Sequence, residues 1–483
     1  MTDTPPLRLF NSLTRSLEEF DPVRPGEARV YSCGPTVYNF QHIGNMRAYV
    51  FADTLGRVLS FKGHQLTHII NITDVGHLTS DGDEGDDKME KAAATAGKTA
   101  WDIAKFYTGE YWTDIDRLNI RQPATWSIAS DYVPAMIAYA QKIAGRHCYE
   151  LEGGLYFDTA TVADYGRLAR AATDGGEGRI EAVEGKRQAA DFAIWRKTPV
   201  GETRQMEWDS PWGKGAPGWH LECSVMSQAL LGLPFDIHTG GIDHREIHHP
   251  NEIAQNQAFA GCDHSGARIW MHNNFLIARD EQGRGGKMSK STGEFLRLQV
   301  LVDKGFHPLA YRLLCLQAHY RSELEFSFDN LKAALTRLKR MVMAIEPLHL
   351  TQAGTVDDKR LTDLLGKFDA VISDDLNTPV ALILMDEAIA LKKIDLAQKR
   401  ACLAAMDQAL GLNLMTLTRQ DLRVRPQDAS IDAPEIDAAL DRRKQARAAK
   451  DFTASDAIRD ALAAKGVEVM DGDPLGWDWA LKN

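Results

Sequence analysis

The stretch 29–45, RVYSCGPTVYNFQHIGN, constrains the fold more than any other part of this 483-residue chain. Val30, Tyr31 and Cys33 end an apolar run suited to a buried strand, Gly34 and Pro35 break it, and amphipathic spacing resumes over 46–61. That order predicts a strand, a tight turn and a helix start. A second β-rich run over 66–73, LTHIINIT, then predicts α/β architecture with a parallel, doubly wound sheet. A helix start carries unpaired backbone N–H groups and partial positive charge, so it is a ready seat for phosphate. Gly44 would let a ligand approach the backbone there, while His42 and Asn45 carry hydrogen-bond donors and Cys33 offers a thiolate. The same residues also suit an ordinary helix entry and a buried core cysteine.

A chain of this length divides into about three or four domains, because single cores stop growing well below it. With 56 Lys+Arg against 67 Asp+Glu the net charge is −11, which argues against a generic polyanion coater. A local basic patch can still bind nucleic acid. The six cysteines are scattered and fit a reducing compartment rather than a disulfide framework. No signal-peptide core and no apolar run of bilayer length is present, so a cytoplasmic protein without membrane contact is expected.

Residues 89–118 read as helical. From 119 to 218 the texture changes to short strands, glycines and aromatics (GGLYFD, DFAIWR), which predicts an inserted α+β subdomain. Reactive side chains then crowd together in GWHLECSVM and FDIHTGGIDHREIHHPNEIAQ. Cys33, Cys223, His248 and Glu252 make a four-ligand set that suits Zn²⁺, and the last two are one helical turn apart. The histidines equally fit a solvated helix cap. Gly240 and Gly241 follow a predicted strand at the point where an open sheet takes a nucleotide, or they form a simple turn. Over 283–296, GRGGKMSKSTGEFL describes a loop able to bring cations onto a polyphosphate. Beyond residue 330 helical texture predicts a bundle. A linker with Pro426 and Pro434 and a terminal basic run (Arg442, Arg443, Lys444, Arg447, Lys450) follow; the run suits a solvated face or the neutralising of RNA phosphates, with Trp477 and Trp479 available to stack on bases.

His42-Ile43-Gly44-Asn45 and Lys287-Met288-Ser289-Lys290-Ser291 resemble the HIGH and KMSKS signatures of class I aminoacyl-tRNA synthetases. Within that class CGPTVYNFQHIGN, NITD, PGWHLECS, GGIDHREIHHPNE and HYRSELEFS resemble the cysteinyl-tRNA synthetases, from about residue 8 to the end. The resemblance implies a Rossmann-type parallel sheet (1–118 and 219–282) split by the inserted subdomain (119–218). It also implies a KMSKS and stem-contact region (283–329), a helical bundle (330–410) and a linker with a small anticodon-binding module (411–483). It implies ATP-dependent activation of L-cysteine and transfer to tRNA(Cys), with Mg²⁺ on the phosphates and Zn²⁺ reading the thiol.

By the same resemblance Cys33, Cys223, His248 and Glu252 are the zinc ligands, and His42, Asn45, Lys287 and Lys290 stabilise the reacting phosphates. Thr36, His42, Gly44, Asn45, Gly241, Asp243 and Lys290 would hold ATP, with Asp243 a candidate for the nucleotide or the amino group, while Cys33, Gly34, Thr73, Trp219 and His238 would line the amino-acid pocket. A monomer is expected. Two departures stand out. Asn45 replaces the family's frequent histidine, and Pro250 follows the histidine pair, which leaves His249 or His244 open as a ligand in place of His248. Two rival readings stand beside this one: a cysteine ligase with a small amino-sugar acceptor, and a non-catalytic zinc and RNA-binding paralogue. The basic terminal module opposes the first and the intact KMSKS the second.

Overall fold

The computed structural model describes residues 4–76, 88–169, 185–279, 285–287 and 296–481. A hairpin of β1 (Arg8–Asn11) and β2 (Ser16–Glu19) leads into β3 (Glu27–Ser32), α1 (Ile43–Phe61) and β4 (Gln65–Ile72). Next come α2 (Lys88–Ala96), α3 (Ala100–Arg117) and β5 (Thr125–Ile128). The helical run expected over 89–118 is thus two helices. Gly97 takes a positive φ of 62° between them, and Thr99 caps α3 by accepting the Asp102 N–H.

An inserted region follows: α4 (Val133–His147) and a four-stranded antiparallel sheet of β6 (Cys148–Leu151), β7 (Gly154–Phe157), β8 (Phe192–Lys197) and β9 (Gly215–Pro217). The chain then returns through α5 (Trp219–Leu231), β10 (Phe235–Gly241), α6 (His248–Ala260) and β11 (Ala267–Asn273). The central sheet has the order β11-β10-β3-β4-β5, with every pairing parallel. Its strands are buried on both faces, as Ala28, Val30 and Tyr31 of β3 illustrate. β5 lies past the 118/119 boundary expected from sequence, yet it pairs with β4 in this sheet. Its four residues, TWSI, are too short a run to announce a strand.

From β3 the chain winds outward through β4 and β5, then restarts at β10 on the other side of β3. The strand order therefore reverses between β3 and β10, and the crevice beyond their carboxyl ends is where an open α/β sheet binds ligands. Gly34 sits at that edge because the backbones meet there: a Cβ on it would lie 1.6 Å from the Asn71 carbonyl oxygen.

β12 (Leu276–Arg279), β13 (Gly285–Lys287) and β14 (Leu324–Glu325) form a small sheet, with α7 (Leu298–Asp303) and α8 (Pro308–Leu316) between its last two strands. Four longer helices build the bundle: α9 (Phe328–Ile345), α10 (Lys359–Ile372), α11 (Thr378–Ala390) and α12 (Leu396–Leu410). The bundle shares one core with α1, containing Leu55, Leu59, Leu382 and Met406. Buried charge reinforces the junction. Asp53 of α1 pairs with Arg57 at 2.7 Å and Arg312 of α8 at 2.6 Å, and Arg312 Nε donates to the Leu410 carbonyl at 2.9 Å. Burial pushes the Asp53 carboxyl up, but the facing Arg312 and Arg57 charges hold it below its ordinary value.

The terminal module comprises α13 (Ala433–Ala448), α14 (Phe452–Ala464) and a hairpin of β15 (Val467–Val469) and β16 (Trp477–Trp479). Pro434 begins α13 rather than belonging to a linker. The tryptophans expected to meet RNA bases do not reach solvent: Trp477 and Trp479 are 1% and 5% exposed within the module's own core. Trp477 Nε1 donates to Asp437 at 3.0 Å, so the ring is committed to packing. Of the basic run, Arg443 and Arg447 pair with Asp471, while Arg442, Lys444 and Lys450 are exposed.

Candidate active site and metal centre

A cleft of about 340 Å³ opens at the switch point. One wall comes from the turn after β3 and the start of α1, another from the ends of β4 and β10, and its floor from α5 and α6. Thr36, His42, Gly44, Asn45, Gly241 and Asp243 line its first end, and Cys33, Gly34, Thr73, Trp219, Cys223 and His248 its other end.

At that second end the ligand atoms of Cys33, Cys223, His248 and Glu252 all lie within 4.8 Å of one another. Each comes from a separate feature of the fold: Cys33 follows β3, Cys223 sits in the second turn of α5, and His248 and Glu252 share one face of α6. Pro250 occupies the first turn of α6, where its missing N–H costs nothing, so the proline leaves this face intact. Tetrahedral zinc separates its ligand atoms by about 3.5 Å, which this grouping accommodates. His248 Nε2 and Glu252 Oε1 are 3.0 Å apart but misaligned, and neither buried atom has a hydrogen-bond partner. The two buried atoms sit with the two cysteine sulfurs in a set of the kind a metal ion satisfies.

The surrounding contacts orient these ligands. His220 Nδ1 and His248 Nδ1 are 2.9 Å apart, and His238 Nε2 lies 2.9 Å from Glu252 Oε2. Burial opposes ionisation of Glu252, but the charges of His238 and His248 hold its carboxyl down to about 2. Burial likewise opposes the charged form of His248, yet Glu252 pushes it up to about 10. Cys33 is held well below the usual thiol value: burial raises it, while a hydrogen bond with Cys223 and the neighbouring His244 and His249 lower it further. It is the thiolate-prone member of the pair.

A second grouping, Cys33, His238, His249 and Glu252, meets the same distance limit. Its His249, however, is already engaged: Nε2 is 3.4 Å from Cys33 Sγ and Nδ1 is 2.8 Å from His272 Nε2, which continues to Ser12. The group with two cysteines brings two thiols together with His248 Nε2 and Glu252 Oε1, neither of which has a hydrogen-bond partner. His244 lines the cleft but belongs to neither group.

At the first end His42 is the N-cap of α1. Its Nδ1 accepts the Asn45 N–H at 3.1 Å, and Asn45 Oδ1 accepts the His42 N–H at 3.3 Å. The imidazole is thereby fixed as the Nε2–H tautomer, and the Asn45 amide keeps its Nδ2 hydrogens as donors. The helix start offers fewer N–H groups than its sequence suggests, because the Ile43 N–H already donates to the Leu296 carbonyl at 2.8 Å. Gly44 has a further role: a Cβ there would lie 2.9 Å from the His42 ring.

One expectation changes, and one falls outside what the structure describes. His238, expected in the amino-acid pocket, does not line the cleft but lies fully buried beneath Glu252, stacked on Trp270 with ring centroids 4.6 Å apart. Lys290 lies outside the described residues, and Lys287 is placed through its backbone at the end of β13. The structure also adds Glu222 and Asn71, to which sequence reasoning gave no role. Thr73 Oγ1 donates to Glu222 Oε2 at 2.8 Å, Asn71 Nδ2 donates to Thr73 Oγ1 at 3.1 Å, and the Gly34 N–H donates to Asn71 Oδ1 at 2.7 Å. Burial pushes Glu222 up to about 8 despite the hydrogen bond from Thr73. Its adjacency to Cys223 in HLECS was the signal available.

Two family models match the chain: "tRNA synthetases class I (C) catalytic domain" over residues 19–336 and "Cysteinyl-tRNA ligase anticodon binding domain" over 433–474. A "Cysteine--tRNA ligase" of Novosphingobium aromaticivorans is 69% identical, the match covering 99% of this chain and 97% of that protein. Another from Zymomonas mobilis is 53% identical, covering 98% of each. Among solved structures, the ternary complex of Agrobacterium radiobacter K84 agnB2 LeuRS matches with a TM-score of 0.57 at 13% identity, over 84% of this chain and 87% of that one. Mycobacterium tuberculosis methionyl-tRNA synthetase with methionyl-adenylate matches at 0.52 and 14%, over 82% and 91%. These two likenesses concern the fold alone. With a parallel sheet whose switch point holds a Cys₂HisGlu cluster, the HIGN helix entry beside it and these matches along its length, the chain belongs to the cysteinyl-tRNA synthetase family of class I aminoacyl-tRNA synthetases.

Proposed function

We propose that the chain is a cysteine--tRNA ligase that activates L-cysteine with ATP and transfers it to the terminal adenosine of tRNA(Cys), with Zn²⁺ held by Cys33, Cys223, His248 and Glu252. The observation that carries this reading is the cluster's position in the same cleft as His42 and Asn45. Zinc bound there supplies a borderline-soft Lewis acid that prefers a deprotonated thiol to a hydroxyl.

In the first step a carboxylate oxygen of cysteine attacks the α-phosphorus of ATP, and the bond to pyrophosphate breaks. The protein contributes positioning and charge stabilisation rather than covalent chemistry. His42, fixed as its Nε2–H tautomer, and the Asn45 amide donate to phosphate oxygens, with Thr36, Gly44, Gly241 and Asp243 forming the nucleotide side. Lys287 and Lys290 bring positive charge to the leaving pyrophosphate, with Mg²⁺. Trp219, Thr73 and Gly34 bound the amino-acid end. In the second step a ribose hydroxyl of the terminal adenosine attacks the activated carbonyl carbon, and AMP leaves with the carboxyl oxygen. The exposed Arg442, Lys444 and Lys450 meet tRNA phosphates.

The reading includes a monomer working in the cytoplasm, and among the described residues no helix is long and apolar enough to cross a membrane. Cysteine-dependent ATP–pyrophosphate exchange, measured beside charging of tRNA(Cys), tests the proposal. Exchange that does not depend on cysteine would overturn it.

A further inference from the structure

HYRSELEFS, residues 319–327, takes no part in the chemistry above, yet it lies directly behind one wall of the cleft. Its strand β14 runs parallel to β12, with Leu324 opposite Leu276 and Glu325 opposite Ile277. The Leu324 N–H donates to the Phe275 carbonyl at 3.0 Å, the Phe326 N–H to the Ile277 carbonyl at 2.8 Å, and the Asn274 N–H to the Tyr320 carbonyl at 2.8 Å. On its far side the segment is tied to the turn before α11. There the Tyr320 hydroxyl and Arg321 Nε each donate to the Asp375 carboxylate at 2.6 Å.

Arg47 of α1 joins this segment to the cleft. It lies one helical turn beyond Ile43 of HIGN and is 2% exposed. Its guanidinium meets backbone carbonyls: Nη1 donates to Asn274 at 2.9 Å and to Phe275, and Nη2 donates to Ser322 at 2.5 Å and His319 at 3.4 Å. One planar fork thus holds the leads into both β12 and β14 to a single helix. A lysine ammonium is a compact point charge and has no such spread of donors.

Residues 273–276 line the cleft, at the end that the reaction above gives to ATP. Asn273 of β11 pairs with Gly241 of β10, and its carbonyl accepts the Ile242 N–H at 2.8 Å. Leu276 packs on Gly44, where an added Cβ would stand 3.8 Å from the Leu276 Cβ. β12 also sets the hairpin that carries Lys287, which lies opposite Ile277 in the ladder to β13. The Cys33, Cys223, His248 and Glu252 cluster sits on the turn after β3 and on α5 and α6, whereas all four hydrogen bonds of Arg47 go to other segments. Resting on the function proposed above, we infer that Arg47 is a positioning residue for ATP: it fixes the 274–276 wall and the base of the Lys287 hairpin to the HIGN helix, and the amino-acid end is independent of it.

The test uses the full-length, zinc-loaded protein as wild type, Arg47→Lys and Arg47→Met. Arg47→Lys keeps the charge and loses the fork, while Arg47→Met keeps the apolar stem. Thermal melts and elemental analysis establish fold and metal content. Calorimetry gives Kd for L-cysteine alone and for α,β-methylene-ATP with Mg²⁺, and pyrophosphate exchange gives KM for each substrate with kcat.

In both variants the Kd for the ATP analogue and the KM for ATP should rise by about 10-fold or more, the range for lost hydrogen bonds to a charged group. Misplaced phosphates should also lower kcat by up to about 10²-fold, with the Kd for L-cysteine unchanged. Hydrogen–deuterium exchange on the wild type adds a readout that needs no substitution. α,β-Methylene-ATP with Mg²⁺ should slow exchange of the Asn274, Leu324 and Phe326 amides, and L-cysteine alone should leave them as they were. Wild-type ATP values in Arg47→Lys, equal losses for ATP and cysteine, or no protection of those amides by the analogue would overturn the assignment. Wild-type protein without cysteine-dependent exchange would instead remove the underlying function.

Discussion

Replacing Cys223 with serine should convert recognition by metal into recognition by shape. Cys223 is 1% exposed and belongs to a cluster whose ligand atoms lie within 4.8 Å, so oxygen in place of its sulfur preserves packing while removing one of two cysteine sulfurs. Serine differs from cysteine by the same exchange of atoms. A pocket that relies on shape rejects a near-isostere by only about 10²-fold. Rejection on the order of 10⁴–10⁵ requires roughly 5–7 kcal/mol at about 1.4 kcal/mol per tenfold, which a metal–thiolate bond can supply. Cys223→Ser should therefore reduce the cysteine-to-serine ratio of kcat/KM by about 10²–10³, equivalent to roughly 3–4 kcal/mol. The assay is pyrophosphate exchange with each amino acid, alongside elemental analysis and a thermal melt to establish metal loss and an intact fold. Cysteine activation should fall much further than serine activation. A folded, metal-free variant that keeps the wild-type ratio would refute the reasoning.

Lys290→Ala should slow adenylate formation by about 10²–10³ with little change in cysteine binding, because a cation on the KMSKS loop acts where phosphate charge develops; exchange rates and equilibrium binding separate the two. Arg442→Glu with Lys444→Glu should leave exchange untouched, weaken charging and reduce its dependence on salt, as read from charging rates across a salt series. Asp53→Asn should destabilise the protein by about 3–5 kcal/mol in denaturant melts, since it leaves Arg312 buried without its carboxylate. Asp53 is held below its ordinary carboxyl value, so its contribution is full above the unfolded pKa of about 3.9 and is lost as pH falls through the lower folded value. The wild type should therefore lose stability below about pH 4, and Asp53→Asn should lose less over that window.

The parts of the site that sequence made legible are those whose chemistry is local. Gly34-Pro35 after an apolar run and the HIGN entry are consecutive residues, and His42 with Asn45 does form the predicted helix start. The spacing of His248 and Glu252 is likewise set by one helical turn, so their shared face was readable once α6 was assumed. What stayed hidden depends on tertiary approach. His238 and His248 are equal candidates for a pocket in a linear reading, and burial beneath Glu252 alone separates them. Glu222 gains meaning through Thr73, 149 residues away. Trp477 and Trp479 looked available to bases because a terminal aromatic pair carries no sign of which face it buries. β5 was missed because four residues give no periodicity to read, and its strand character comes from pairing with β4.

The claim at the centre of this account is that zinc on Cys33, Cys223, His248 and Glu252 takes the substrate's sulfur directly. X-ray absorption at the zinc edge, on the loaded protein alone and with saturating L-cysteine or L-serine, measures this without reference to turnover. The free protein and the serine sample should each show two sulfur ligands, from Cys33 and Cys223, and the cysteine sample should show a third. A sulfur count that stays at two when cysteine is bound would contradict the account.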